Sequence, residues 1–484
     1  MTNTLKSEAE EFIGLRAVFW PIRSSELKKF LLMAFMMMCI LFNYGLLRAV
    51  KDALIVTSMG AEAIPTLKLW FVLPSAMLFM IIYVKLLNTF SKNAVFYIVT
   101  SFFLIYFVLF ALVLYPNYQS LTLNFLNIKS EFWKRLLLPI SGLAFSSFYV
   151  MAELWGSVMT GLMFWGFAND VTSVKESKRF YAMFGFIANI GYMISGVTLK
   201  IIRNANIISL LAAFFCIAII CAYYWLTNYA LTKSYLSNLD EIKKNKKQKE
   251  KLNLVDSFKY ILASKYLGFI MLLVVCYGVS INLVEVIWKG QIKLLYPSKE
   301  EFSAFMGELY MWTGAVAIVA MIIGSNILRR CSWFFAAIIT PSVILVTGLI
   351  FFGFIVFKDA LSPMSDFLGA TTLGIVVAIG LLQNILSKGI KYSLFDPTKE
   401  ISYIPLNEEL KSKGKAAIDV IGERAGKSGG ALIQFLLLNI IFVGSSLVEL
   451  APIIVFIFCL VLFVWIYAIK GLNKEFLELS LEEK

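Results

Sequence analysis

The sequence predicts an all-α integral membrane protein of about twelve transmembrane helices, built as two parallel six-helix repeats. Three observations predict it. Of 484 residues, 60% are hydrophobic and only 15% charged, whereas a soluble domain is nearer half apolar and a quarter charged. The apolar residues gather into twelve runs of membrane length. Finally, the two halves superpose on one another at a fixed offset.

A bilayer core needs roughly 20 apolar residues per helix. The segment 1–29 is mixed in charge and has no small-residue cleavage site, so the run 30–50 is expected as a retained span rather than a cleaved signal. Runs at 66–87, 94–115, 137–168, 180–201 and 206–228 complete a first half, 30–228. The longest hydrophilic break follows, "TKSYLSNLDEIKKNKKQKEKLNLVDSFKY", and 229–263 reads as a lysine-rich cytoplasmic linker. Runs at 264–288, 302–328, 333–357, 367–390, 415–445 and 448–469 form the second half, 264–469, and leave 470–484 as a cytoplasmic tail. Lysine and arginine concentrate in alternate loops, on the side of the two termini, which the positive-inside rule makes the cytoplasm.

Sliding the chain by 235 residues lays "SKRFYAMFGFIANIGYMISG" (177–196) on "SKGKAAIDVIGERAGKSGGA" (412–431), run 1 on run 7 and run 5 on run 11. Six helices return the chain to its starting side, so the copies are parallel. That is the plan of major-facilitator transporters, whose substrate sits near the midplane between the halves.

Composition excludes several functions. The net charge of +13 would suggest nucleic acid in a soluble protein. Here it belongs to cytoplasmic loops, and 35 Lys against 9 Arg argues further against a nucleic-acid partner. Histidine is absent, and the six cysteines, at 39, 216, 221, 276, 331 and 459, form no C-x-x-C pair. No metal, redox centre or cofactor is expected. The stretch "KGKAAIDVIGERAGKSGG" (413–430) imitates a P-loop. Gly422 and Gly426 enclose three residues where that motif needs four, and no strand pattern precedes them. An ATP-hydrolysing enzyme is therefore not expected.

Charges inside the runs carry the functional signal, because an ionisable residue at the bilayer centre costs about 2.5–3.5 kcal/mol on insertion scales. Glu153 lies deep in "SSFYVMAELWGSVMTGLMFWG", as a functional carboxylate or a neutral acid bonded to another helix. Lys427 falls about 18 Å into run 11 if the helix starts near Lys415. Asp419, Glu423 and Lys427 recur at helical spacing, with Arg424 beside them, as a stripe facing a cavity or as an intrahelical Glu423–Lys427 pair. The glycines of "GKSGG" admit a neighbouring backbone or a ligand. Lys51 with Asp52, in "LLRAVKDALIVTS", and Glu285, in "INLVEVIWKGQ", occupy matching places in the repeats. An outer-interface anchor competes with an interior role for Lys51. Lys388 and Lys391, in "QNILSKGIKYSLFD", end an inward-running helix, where snorkelling competes. Trp155, Tyr181 and Tyr392 are candidates to stack on a base, with packing as the bland alternative. A lysine-rich cavity suits a polyanion, so the residues alone point to a secondary transporter of an organic phosphate.

The segments "LRAVKDALIVT", "LPSAM", "AELWGS", "KRFYAMFG", "NLVEVIWK", "GSNILRR", "NILSKGIKYSLFDPTKEISYIPL", "KGKAAIDVIGERAGKSGG" and "KGLNKE" together resemble the non-mitochondrial ATP/ADP translocase family of rickettsiae, chlamydiae and plastids. The resemblance runs from about 19 to 475. It implies twelve helices, a nucleotide substrate and antiport of ATP for ADP. It also implies a bacterial inner membrane, since no plastid transit peptide is seen, and surrounding lipid with a monomeric carrier. It places the family's functional charges on Lys51, Glu153, Glu285 and Lys427 and on no others; Lys388 and Lys391 are helpers that the residues alone suggest. Exchange or net import of GTP or pyrimidine nucleotides is the alternative within the family. Outside it, a flippase of an anionic lipid-linked precursor is the rival.

Overall fold

The computed structural model describes residues 22–482 apart from 124–128, 232–263, 362, 364–366, 368, 407–414, 416, 417 and 419–421. The linker therefore lies outside the described residues, as does Asp419.

Among the described residues the chain is helical throughout. In chain order the helices are α1 (Leu27–Met59), α2 (Ala63–Thr89), α3 (Lys92–Leu114), α4 (Glu131–Ser141 joined to Leu143–Val171) and α5 (Val174–Ile201). They continue with α6 (Ala205–Ala230), α7 (Lys265–Leu295), α8 (Lys299–Arg330), α9 (Trp333–Val356) and α10 (Thr372–Ser402). The last two are α11 (Glu423–Leu436 continued by Leu437–Ile441) and α12 (Ala451–Glu482). Ten of these are long and apolar enough to cross a membrane alone. The bent pair in α4 makes an eleventh. At the place of the eleventh expected run stands α11, whose first turns carry Glu423, Arg424 and Lys427 and so dilute its apolar character. The final helix continues past the expected end of the span as far as Glu482.

Helix starts follow local chemistry. Side chains of Ser91, Ser173, Asn204, Ser264, Ser298, Ser332 and Thr371 each accept a backbone N–H in the first turn of the following helix. Such caps satisfy donors that a helix leaves open. They also fix the depth at which each later residue sits. The fourth run, expected at 137–168, lies in a helix pair that bends by 75° at Gly142. Pro139 interrupts the first limb, and the Ser146 hydroxyl donates to the Pro139 carbonyl at 2.7 Å.

The repeat is visible in the packing. Helix α1 packs on α4, α5 and α6, and α7 packs on α10, α11 and α12; α3 meets α6 as α9 meets α12. Across the halves, α5 lies on α8 and the first turns of α2 lie on α11. Glycines permit the closest approaches. A Cβ on Gly196 would stand 2.3 Å from the Gly307 carbonyl, and one on Gly278 would stand 2.7 Å from Gly426 Cα. The glycines of "GKSGG" thus admit the backbone of α7: Gly426 meets Gly278, and Gly430 meets Asn282.

The polar contacts joining the halves gather on the side opposite the start of α1. The Arg135 guanidinium donates to the carbonyls of Leu438 and Ser445, both at 3.0 Å. Lys200 and Glu308 approach to 3.7 Å, and Lys299 Nζ sits 4.5 Å from the Phe145 ring centre. Toward the other side the halves diverge. The lower part of α2, Leu73–Thr89, has no buried residue, and a Cβ on Gly185 of α5 would meet open space. The cleft between the halves therefore opens toward the side from which α1 and α7 start.

Overpacking a close helix contact costs about 1–3 kcal/mol. Gly278→Val is expected to lower the melting temperature of the detergent-solubilised protein by several degrees, whereas Gly161→Val, where a Cβ meets nothing within 4 Å, changes it little. Equal melting temperatures would contradict the packing described.

Candidate functional site

Helices α1 and α7 each carry acidic and basic residues in their last turns before the closed side, and these interlock. Glu153 of α4 pairs with Lys51 at 2.9 Å, and Lys51 with Asp52 at 2.8 Å. Asp52 then pairs with Lys289 of α7 at 2.8 Å, Lys289 with Glu285 at 3.1 Å, and Glu285 with Arg48 of α1 at 3.0 Å. Arg48 also donates to the Tyr44 hydroxyl at 3.1 Å. The result is one chain of alternating charge that crosses twice between the halves.

Burial along this chain is graded. The middle is dry: side-chain exposure is 3% for Lys51, 0% for Asp52 and 2% for Lys289. The ends reach the cleft, with Glu153 at 25% and Arg48 at 21%. Lys51 is further enclosed by the face of Tyr149, 4.0 Å from its Nζ. On helix geometry Asp52 lies about 10 Å, and Arg48 about 16 Å, from the outer end of α1. The chain thus forms the closed roof of the cleft, and its two wet ends face inward.

Neighbouring helices hold these residues in place. Trp155 donates its indole N–H to the Ile40 carbonyl at 3.1 Å and packs against Phe103 and Phe107, which pins α4 to α1 beside Glu153. Below Glu153 the helix widens into π-helical turns over Gly156–Trp165, and similar segments begin at Lys68 in α2 and at Lys391 in α10. Such distortions re-aim side chains and recur at functional sites.

Of the residues singled out in the sequence, Lys51, Glu153 and Glu285 enter one network. Lys427 lies exposed on α11, the helix on which the first turns of α2 from the other half pack, and so borders the cleft between the halves. Its carbonyl is held by Asn282 at 2.9 Å. No ion pair joins Glu423 to Lys427, which removes the intrahelical alternative. Glu423 is exposed and Arg424 half-buried one turn before Lys427. Lys388 is buried beside Glu285 and Arg48 and has no bonded partner, so it does not snorkel. Lys391 pairs instead with Asp396 at 3.0 Å and flanks Tyr277 and Tyr392. Trp155 is a packing residue, and Tyr181 bonds Thr172 and Asn169. Neither is placed to stack on a base.

Sequence reading passed over Arg48, Lys68 and Lys289 as site residues. The i,i+4 spacings of Arg48 with Asp52 and of Glu285 with Lys289 were available signals. Lys68 starts a run and reads as an interface anchor, yet it stands within electrostatic reach of both Glu153 and Glu285. Among the described residues the site gathers six cations, Arg48, Lys51, Lys68, Lys289, Lys388 and Lys427. Against them stand three carboxylates, Asp52, Glu153 and Glu285.

A two-repeat bundle of membrane-length helices with a charged cleft between its halves has a major-facilitator-like fold. The solved structures agree on the fold. A bacterial homologue of the iron transporter ferroportin matches with a TM-score of 0.58 at 13% identity, covering 95% of this chain and 100% of that one. A D-xylose–proton symporter matches with 0.57 at 11%, covering 92% and 97%.

The TLC ATP/ADP transporter family model matches residues 5–476, and the chain belongs to that family. It is 47% identical to ADP,ATP carrier protein 1 of Rickettsia bellii over 97% of this chain and 98% of that one. It is 46% identical to ADP,ATP carrier protein 1 of Chlamydia muridarum over 99% and 94%. The protein is a multi-pass membrane transporter and not an enzyme.

Breaking one partner of a buried ion pair costs about 3–5 kcal/mol, whereas replacing both with apolar groups costs far less. Asp52→Leu and Lys289→Met are each expected to lower the melting temperature markedly, and the double variant to recover much of the loss, since Lys51 keeps Glu153. Additive losses in the double variant would show that the two residues do not act as a pair.

Proposed function

We infer that this protein exchanges ATP for ADP across a bacterial inner membrane by alternating access, with both termini in the cytoplasm. One observation carries the reading: a cleft closed on one side by an inter-half ion-pair chain and, among the described residues, lined by twice as many cations as carboxylates. The names of its relatives, ADP,ATP carriers from Rickettsia and Chlamydia, support it.

In this reading the roof of the cleft is a lock. Arg48, Lys51, Asp52, Glu285 and Lys289 hold the outer ends of α1 and α7 together while the cleft faces the cytoplasm. Glu153 and Glu285 are counter-ions that neutralise cations in the empty carrier. Lys427 meets the phosphates. Lys51, clamped between Asp52 and Glu153, serves the lock.

Exchange follows from the charge excess. Closing the cleft without substrate would seal unpaired cations in a dry space, which is costly. A bound polyanion removes that cost. The empty carrier therefore crosses slowly, and the loaded one quickly.

Proteoliposomes preloaded with ADP are expected to take up labelled ATP several-fold faster than empty ones, and equal rates would contradict obligatory exchange. Glu153→Gln is expected to lower the maximal rate more than the affinity, because the carboxylate balances lysines rather than binding phosphate. A changed preference among ATP, GTP and CTP in that variant would instead make Glu153 a reader of the base.

A further inference from the structure

The site contains cations to which the structure gives no carboxylate. Lys68 begins the π-helical segment of α2, Lys388 lies on α10 and Lys427 on α11. None of the three makes an ion pair or side-chain hydrogen bond to a described residue. Lys388 is the sharpest case. It is 6% exposed, its Nζ has no hydrogen-bond partner among the described residues, and the face of the Tyr310 ring lies 5.7 Å away. An ammonium taken from water with neither counter-ion nor acceptor is among the costliest groups a protein can bury. Lys51 and Lys289 differ in kind: each is held between two carboxylates at 2.8–3.1 Å.

The unpaired cations lie around the wet ends of the ion-pair chain. The segment that Lys68 begins packs on α4, which carries Glu153, and on α11, which carries Lys427, while Lys388 reaches Arg48 through the rings of Tyr310, Tyr192 and Tyr44, whose successive centroids lie 4.9 and 6.1 Å apart. Arg48 stands beside Lys388 and holds Glu285 at 3.0 Å. A phosphate oxygen can replace the Glu285 carboxylate at a guanidinium without loss of geometry.

We propose that Lys68, Lys388 and Lys427 form a phosphate clamp for a nucleoside di- or triphosphate, with Arg48 moving from Glu285 to the terminal phosphate. Lys51 and Lys289 remain in the lock. The proposal rests on the exchange reading above and adds to it the residues that read phosphate number. The clamp supplies three positive charges beyond the carboxylates. ADP, with about three negative charges at neutral pH, and ATP, with about four, satisfy all three cations. A nucleoside monophosphate, with about two, leaves one buried ammonium unpaired. The clamp therefore distinguishes nucleotides by phosphate count.

The test uses purified full-length protein in detergent and in proteoliposomes, with ADP, ATP and AMP as probes. Lys388→Met is expected to raise the melting temperature of the empty protein, because it replaces an uncompensated buried charge by an apolar side chain. It should also shrink the rise produced by ADP and increase the KM for ATP and ADP about tenfold or more. Lys388→Arg should restore the response to ADP. Lys68→Met, at a half-exposed position, should raise KM similarly, whereas Lys51→Met should lower the maximal rate more than it raises KM. AMP should stabilise the wild-type protein far less than ADP. A wild-type protein that transports nucleotides while Lys388→Met and Lys68→Met keep its KM and its response to ADP overturns the clamp alone. A wild-type protein that neither transports ATP nor responds to ADP overturns the exchange reading, and the clamp with it.

Discussion

The Asp52–Lys289 ion pair is the interaction on which the rest of the structure depends. It joins the first helix of one repeat to the first helix of the other, at 2.8 Å, with both side chains essentially dry. Two buried charges are tolerable only when each is fully matched. Asp52 meets this demand by taking Lys51 as well, and Lys289 by taking Glu285. The demand then spreads outward, to Glu153 on one side and Arg48 on the other, until the charges reach the wet cleft. A lock of this kind is strong while complete. It also gives a definite place for the halves to part, because separating α1 from α7 breaks a few charge pairs rather than a greasy seam.

The same logic connects lock and substrate. Glu153 at one wet end of the chain, and Glu285 bonded to Arg48 at the other, are the acceptors that a polyphosphate would compete with. Anion binding next to Arg48 loosens Glu285 from one of its two cations. In the proposed clamp, Arg48 would thus both recognise substrate and belong to the roof. Such sharing links occupancy to conformation through differential contacts, which any coupled transition requires. Helix packing gives the bundle the stiffness to transmit it. Glycine contacts such as Gly196–Gly307 and Gly278–Gly426 bring backbones together with no side chain between them.

Much of this was legible in the sequence, for physical reasons. Membrane length and apolarity fixed the spans, and the cost of charge in lipid drew attention to Glu153, Glu285, Lys388 and Lys427 without a structure. The bend in α4 was not legible, since Pro139 and Gly142 are common in membrane helices and neither alone specifies a 75° turn. Lys68 and Lys289 were missed because they lie near the ends of runs, where a lysine ordinarily reaches the headgroups. Only the partner helix shows that these ends are roofed over. The role suggested for Trp155 failed similarly: its acceptor, the Ile40 carbonyl, lies more than a hundred residues away in the chain. Pairing across the halves is a property of the fold, and local spacing does not encode it.

The central claim is that the halves are joined on the closed side by charge pairs and that substrate lets them part there. Spin labels placed at 200 and 308, on α5 and α8 beyond the roof, report this separation directly, since Lys200 and Glu308 lie 3.7 Å apart in the closed form. In proteoliposomes without nucleotide the distance distribution should be short and narrow. On adding ADP a second, longer population should appear, and Asp52→Asn should increase it even without nucleotide. A single short distance under all conditions, in a labelled protein that still exchanges ATP for ADP, would contradict the account.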